Sequence, residues 1–374
     1  VAGLASDEAR GVAVPAHSSD GVHVPLVPSL DARHQVGRDL VWCASLDLAW
    51  QEMERLVGRP IVLRDADDAA AVIAGALGAS SVRPEHLDPA CYVASASRHT
   101  PAWLEWLDAE LRRKFGSGLD RRLFPAEPQP DLFAAYAYLQ RSWTFAVPFQ
   151  RLRGWMSFGR TKVDSFSLGS RFDRSDLYER RAAQALVHHH RFLVDPDADA
   201  DDDDDDDDCS RSEEFVVELV TDRRDDRLVL AGAEPRGTLA ETVGWAMERL
   251  RADAATDPRA RLDREERLGV PCIDFDLCRS YHELYGRHFA NAGFESQGFG
   301  EVCERVRFRL DEGGAKLVSE SEFRGLSLPP RTVVFDEPFL MMALKHGAPA
   351  PFLALWIETP ALLVKSVPPD EPGP

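Results

Sequence analysis

Residues 302–327 read Val-Cys-Glu-Arg-Val-Arg-Phe-Arg-Leu-Asp-Glu-Gly-Gly-Ala-Lys-Leu-Val-Ser-Glu-Ser-Glu-Phe-Arg-Gly-Leu-Ser. The first nine residues are expected to form a strand, and Asp311-Glu312-Gly313-Gly314 marks its end at a strand-to-loop transition. Beyond the glycines the alternation resumes. Ala315, Leu317, Ser319, Ser321 and Phe323 fall on one face, and Lys316, Val318, Glu320, Glu322 and Arg324 fall on the other, because side chains of extended chain alternate between faces. An ordinary amphipathic edge strand has the same pattern, with charges that discourage edge-to-edge association.

Strand signals surround this stretch on both sides. Downstream, residues 333–344 and 352–357 are apolar runs. Upstream, residues 270–277 read as a strand and 281–292 as a helix. Residues 215–220 and 227–231 form a hairpin pattern around Arg224-Asp225-Asp226, and Thr238-Leu-Ala-Glu241 is a capping box for a helix through Leu250. Further strands are expected at 133–139, 163–168 and 186–194, with a helix at 175–185. The N-terminal part is helical in pattern. Leu40, Trp42, Cys43, Leu46, Trp50 and Met53 recur at helical spacing from Asp39 to Gly58, Asp65 opens a second helix to Leu77, and Thr100-Pro101 opens a third. Helices first and strands later predict an α+β fold. One domain is expected over residues 38–364, with flexible segments at 1–37 and 365–374.

The 374 residues carry 44 Lys+Arg against 63 Asp+Glu, a formal charge of −19. Eleven of the acidic residues lie between Asp195 and Asp208, and the remainder of the chain carries about −8, an ordinary solubility margin. Nothing there could replace phosphate counterions over a wide face, which excludes a general nucleic-acid binder. The acidic run lacks the Gly turn and alternating ligands of a calcium loop. Residues 195–213 are therefore expected to be a solvated, disordered loop. No 18-residue apolar run exists to span a membrane. Arg outnumbers Lys 39 to 5, as a GC-rich coding sequence would produce, and Val1 reads as an alternative start or a processed end. No signal-peptide pattern is visible and the six cysteines are scattered, which together predict a cytosolic protein with reduced thiols. His188 and His190 would share a strand face while His189 points away, so the triplet does not converge on a metal. No G-x-S-x-G, H-E-x-x-H, phosphate loop or dinucleotide fingerprint occurs.

Several C-terminal motifs together resemble the serpin family. Cys272-Ile-Asp-Phe-Asp-Leu277 is similar to a serpin strand, and the segment Tyr281-His-Glu-Leu-Tyr-Gly-Arg-His-Phe-Ala-Asn-Ala-Gly-Phe294 to the helix and turn after it. Residues 302–310 are similar to the strand feeding the serpin hinge, with Asp311-Glu312-Gly313-Gly314 at the hinge itself. Phe335-Asp-Glu-Pro338-Phe339 matches the family's Phe-x-x-Pro-Phe, and Pro351-Phe-Leu-Ala-Leu-Trp-Ile357 resembles the closing β-hairpin. The resemblance runs mainly over residues 215–364. It is thin over 130–170, where Tyr138 to Phe149 is similar to a family strand, and the N-terminal third lacks the family's Ser-Pro helix motif.

Serpin resemblance implies helices packed on large mixed and antiparallel sheets, with an exposed loop that inserts as an extra strand after cleavage and drags an acylated protease along. On this basis the hinge comprises Glu312, Gly313, Gly314, Ala315, Leu317, Ser319 and Ser321, and the reactive bond is Leu326-Ser327. Leu326 suits a chymotrypsin-like serine protease or a cysteine protease. The implied partner is a protease, the expected state a monomer, and no cofactor is implied. Two departures oppose inhibition. Lys316-Leu317-Val318 is bulky where small residues are favoured, and overfilling a packed site costs about 1–3 kcal/mol. The segment before Leu326 is also shorter than in inhibitory members. The alternatives are therefore a suicide-substrate inhibitor, a non-inhibitory binding protein with a static loop, and an enzyme with an unrecognised site.

Overall fold

The computed structural model describes residues 25–120, 129–169, 176–192, 213–250, 254, 256–257, 260–300, 302–313 and 331–366. Strand β1 (Leu40–Cys43) runs directly into helix α1 (Ala44–Val57), and α2 (Asp68–Gly78), β2 (Tyr92–His99), α3 (Pro101–Phe115) and β3 (Gln129–Leu139) follow. A hairpin of β4 (Gln150–Phe158) and β5 (Thr161–Ser167) leads through the short α4 (Leu177–Ala182) to β6 (Ala185–Phe192). Then come β7 (Glu213–Leu219), β8 (Asp226–Gly232), α5 (Leu239–Glu248), β9 (Arg267–Pro271) and β10 (Ile273–Ser280). The chain closes with β11 (Cys303–Leu310), β12 (Thr332–Val334), β13 (Phe339–Lys345) and β14 (Leu353–Ile357).

The apolar runs of β13 and β14 have no polar face, so both sides must be covered. They pair antiparallel inside a six-stranded sheet of order β1-β14-β13-β8-β7-β6. Phe339, Leu340, Met341, Met342, Leu355 and Ile357 lie in the core there. Strands β12-β9-β5-β4 form a second sheet, joined to the first through contacts such as Phe158 with Phe339, ring centroids 6.2 Å apart. Helix α5 starts at the expected capping box: the Glu241 amide donates to Thr238 Oγ1 at 3.2 Å, and the Thr238 amide donates to Glu241 at 3.2 Å.

Two further antiparallel ladders, β2-β3 and β10-β11, stand apart from these sheets. The β2-β3 ladder has α3 on one face, where Val93, Trp103, Leu104, Leu107 and Leu111 cluster. Its other face carries Ala94 opposite Ala137 and Ala96 opposite Ala135. These small side chains let α1 pack closely against both strands. The other side of α1 meets α2 and the segment before β11, with Trp50 stacked on Phe299 at 5.3 Å.

The α+β class expected from the sequence is the one observed, and several elements sit as expected: β11 ends at Leu310, β7 and β8 form a hairpin followed by α5, and β13 and β14 pair near the end of the chain. The structure differs from the local expectations at four internal elements. Residues 40–43 are a strand, because all four are buried and pair with β14 rather than continuing α1. The run 270–277 divides at Cys272 into β9 and β10, which belong to different sheets. The run 333–344 likewise divides into β12 and β13 across Asp336-Glu337-Pro338. Residues 281–292 form turns, with Gly286 in the left-handed region (φ 71°) and Phe289 bridged to Leu63.

The expected free N-terminal segment is docked from Pro25 onward: Leu26 is buried, and the Val27 amide donates to the Val41 carbonyl at 2.9 Å. The expected tail is held as far as Ser366, whose amide donates to the Lys162 carbonyl at 3.0 Å. Residues 195–212 of the acidic run lie outside the described residues.

Candidate functional site

The site forms where β11 ends. β11 alternates strictly, with Glu304, Val306, Phe308 and Leu310 buried and Arg305, Arg307 and Arg309 exposed. The exposed arginines face the acids of the neighbouring strand: Arg305 and Arg307 reach Asp276 (2.5 and 2.7 Å) and Arg309 reaches Asp274 (3.8 Å). Asp311, Glu312 and Gly313 then turn inward and are buried. The Asp311 carboxylate accepts from Arg309 Nε at 3.0 Å and from the Gly313 amide at 3.1 Å, which closes a tight turn.

Glu312 is fastened through both its backbone and its side chain. Its carbonyl accepts from the Phe149 amide at 2.7 Å. Its carboxylate meets Arg151 at 3.2 Å, and the same guanidinium reaches Asp164 on β5 at 2.7 Å. The Glu312 side chain is 3% exposed and Asp164 11%, so these charges interact across a medium far less polar than water. Burial works against the Arg151 charge, and the neighbouring acids more than restore it, which holds the guanidinium above its ordinary pKa. Cys272, in the same compartment, is pushed up to about 12 by burial and remains a thiol. Phe145, Phe149 and Phe166 pack around this cluster, with Phe145 edge-on to Phe149 at 4.8 Å.

A second fastening lies below the hinge. Trp143, four residues beyond β3, stacks on Phe352 (6.3 Å, 9° between planes) and meets Phe308 of β11 edge-on at 6.5 Å. Its indole N–H donates to Asp226 at 3.0 Å. Arg141 pairs with the same carboxylate and with Asp88 at 2.8 Å. Trp143 thus lies between the end of β11 and the six-stranded sheet.

Among the described residues β3 pairs only with β2 and β11 only with β10, so each has one unpaired edge. Phe133 near the start of β3 meets Phe294 ahead of β11 at 5.5 Å, and Trp143 beyond β3 meets Phe308 near the end of β11. These two ring contacts link the segments at either end of β3 to β11 and to the chain ahead of it. On the far side of the hinge, Arg331 pairs with Glu266 and donates to the Arg261 carbonyl at 3.0 Å. β12 then pairs in parallel with β9.

Glu312 and Gly313 therefore lie in a buried, fastened turn. Gly314, Ala315, Leu317, Ser319, Ser321, Leu326 and Ser327 lie outside the described residues. Arg151, Asp164, Trp143, Arg141 and Asp226 were not singled out from the sequence. For Arg151, Asp164 and Asp226 the signal available was a charged residue within a strand-forming stretch. His188 contacts Glu218 (2.9 Å), His190 contacts Glu213 (3.1 Å), and His189 lies edge-on to Trp245 at 6.1 Å.

No family model matches the sequence, and no curated protein does. Among solved structures, the chain is similar to human glycosylated kallistatin, with 10% identity over 90% of this chain and 97% of that one and a TM-score of 0.45. It is also similar to tengpin, a thermophilic serpin in its native state, with 10% identity over 87% of this chain and 90% of that one and a TM-score of 0.45.

Proposed function

We propose that the chain is a serpin-like inhibitor in which residues 314–330 present a bait to a protease and enter the space between β3 and β11 after cleavage. The observation that carries this reading is the strand geometry at the hinge. A segment that turned back after Gly313 would run antiparallel to β11, and β3 and β11 each have one edge unpaired among the described residues to receive it. Both edges would then find backbone partners at once.

Side-chain parity supports the same register. With a four-residue turn, Ala315, Leu317, Ser319 and Ser321 fall opposite Leu310, Phe308, Val306 and Glu304, the buried set of β11. Lys316, Val318 and Glu320 fall opposite the exposed Arg309, Arg307 and Arg305. A slip of one residue would turn Lys316, Glu320 and Glu322 toward the core, which a buried face does not tolerate. The segment of 17 residues reaches roughly 56 Å when extended, enough to cover β11 and carry Leu326 beyond its far end.

Leu326-Ser327 is the bond offered, to a chymotrypsin-like serine protease or a cysteine protease. Incubation with chymotrypsin should give a covalent complex that survives SDS and has the combined mass of enzyme and chain. Cleavage at Leu326 without such a complex refutes inhibition. The fastening of Glu312 by Phe149 and Arg151, together with the bulk of Lys316-Leu317-Val318, supports a second reading, a binding protein whose loop stays in place. In that case cleavage leaves stability unchanged.

A further inference from the structure

The first residues of β11 are attached to α1 through a cluster in which two carboxyl groups share one dry compartment. Glu304 is buried in the second position of β11; it accepts from Tyr281 Oη at 2.8 Å and from Ser45 Oγ at 3.1 Å. Asp47, half a turn beyond Ser45 on α1, is 2% exposed, and its Oδ2 has no hydrogen-bond partner among the described residues. Ser80 lies against Asp47 from beyond α2, and the Cys43 thiol faces Glu304 from β1. The cation nearest Glu304 is Arg279 of β10, but its hydrogen bonds go to the Leu26 carbonyl (2.7 Å) and Glu283 (3.0 Å), and its guanidinium lies over the Tyr281 ring. Among the described residues neither carboxyl is therefore paired with a cation, and two charges placed there would repel each other.

We propose that Glu304 and Asp47 form a proton-operated latch, which fastens the start of β11 to α1 when protonated and loosens it when ionised. A neutral Glu304 leaves no charge in the core: its carbonyl oxygen accepts from one of the Ser45 and Tyr281 hydroxyls, and its acid O–H donates to the hydroxyl oxygen of the other. An ionised Glu304 retains these bonds but adds a buried charge beside a second carboxyl, and β11 relieves it by moving outward to water. Burial, first among the causes, raises both groups to about 7, and their mutual repulsion adds to the rise at Glu304. The Cys43 thiol, pushed up to about 12 by burial, does not titrate in this range. The inference stands apart from the inhibitor reading, since it concerns only how β11 is held to α1.

The sign follows from linkage. Folding binds protons wherever the folded pKa exceeds the unfolded one, so the attachment is strongest near pH 4 and weakens until about pH 7, beyond which it levels off. Hydrogen exchange on the full chain reads this directly, with amides of β13 as the internal control. After correction for intrinsic exchange, opening between pH 5 and pH 8 should rise about tenfold more at the start of β11 than in β13. Glu304→Gln and Asp47→Asn should each flatten that rise to less than about threefold. An equal rise in wild type and Glu304→Gln, or in β11 and β13 alike, overturns the latch. Should neither variant fold, the 13C carboxyl resonance of Glu304 in the wild type decides. Titration near neutrality supports the latch, and titration near the ordinary 4.5 overturns it.

Discussion

Replacing Arg151 with methionine keeps most of the side-chain volume at the hinge and removes the charge that Glu312 and Asp164 share. Both acids would be left largely buried, 3% and 11% exposed, with the guanidinium that pairs with them gone. Removing one member of a buried ion pair costs about 3–5 kcal/mol, because the remaining charge has lost both its partner and its water. Arg151 itself is 18% exposed, so water reaches part of the site and the lower end, about 3 kcal/mol, is expected. Glu312→Gln is the contrasting change: it leaves the Arg151–Asp164 pair and the Phe149 hydrogen bond intact and should cost only about 1 kcal/mol. Urea unfolding of wild type, both single variants and the double variant gives the coupling by a double-mutant cycle. If Arg151→Met lies within about 1 kcal/mol of wild type, or Glu312→Gln is the more damaging change, the hinge is not held as described.

Three other outcomes follow. Glu304→Gln should be more stable than wild type above pH 7.5 and no more stable below pH 5. Raising one carboxyl from 4.5 to about 7 corresponds to about 3 kcal/mol of pH-dependent stability, measured as the difference between urea midpoints across that range. The buried Cys272 thiol should stay unmodified by iodoacetamide at pH 8 until the chain is unfolded, whereas the exposed Cys278 should be alkylated in the native protein, as mass mapping of the peptides will report. Thr238→Ala removes half of the capping box of α5 and should cost about 1 kcal/mol in urea unfolding, with Thr238→Ser restoring most of it.

Elements with a complete local signature were legible in the sequence. The unbroken apolar runs of β13 and β14 could only be doubly covered strands, and Thr238 with Glu241 specified the start of α5. Elements defined by tertiary partners were not. Leu40 to Cys43 share the spacing of the helix that follows, and only pairing with β14 makes them a strand. β9 and β10 read as one strand because the switch between sheets at Cys272 leaves no mark on the apolar pattern. The helix expected over 281–292 was opposed by Gly286, whose left-handed backbone ends a helix. β2, Tyr-Val-Ala-Ser-Ala-Ser-Arg-His, gave no signal, since Ala94 and Ala96 are small to admit α1 and its alanines and serines are weak strand formers. The turn after β11 was legible at Glu312 and Gly313. Its fastening was not, because Arg151 and Glu312 are 161 residues apart in the chain and meet only through the fold.

Central to the proposal is the entry of the segment after Gly313 between the unpaired edges of β3 and β11. It is tested most directly by thermal unfolding before and after a single cut within residues 314–330. An added strand of about eight residues, hydrogen-bonded on both edges, should raise the melting temperature by about 10 °C or more. A cut chain that melts at the same temperature as the intact one, or below it, would contradict the account.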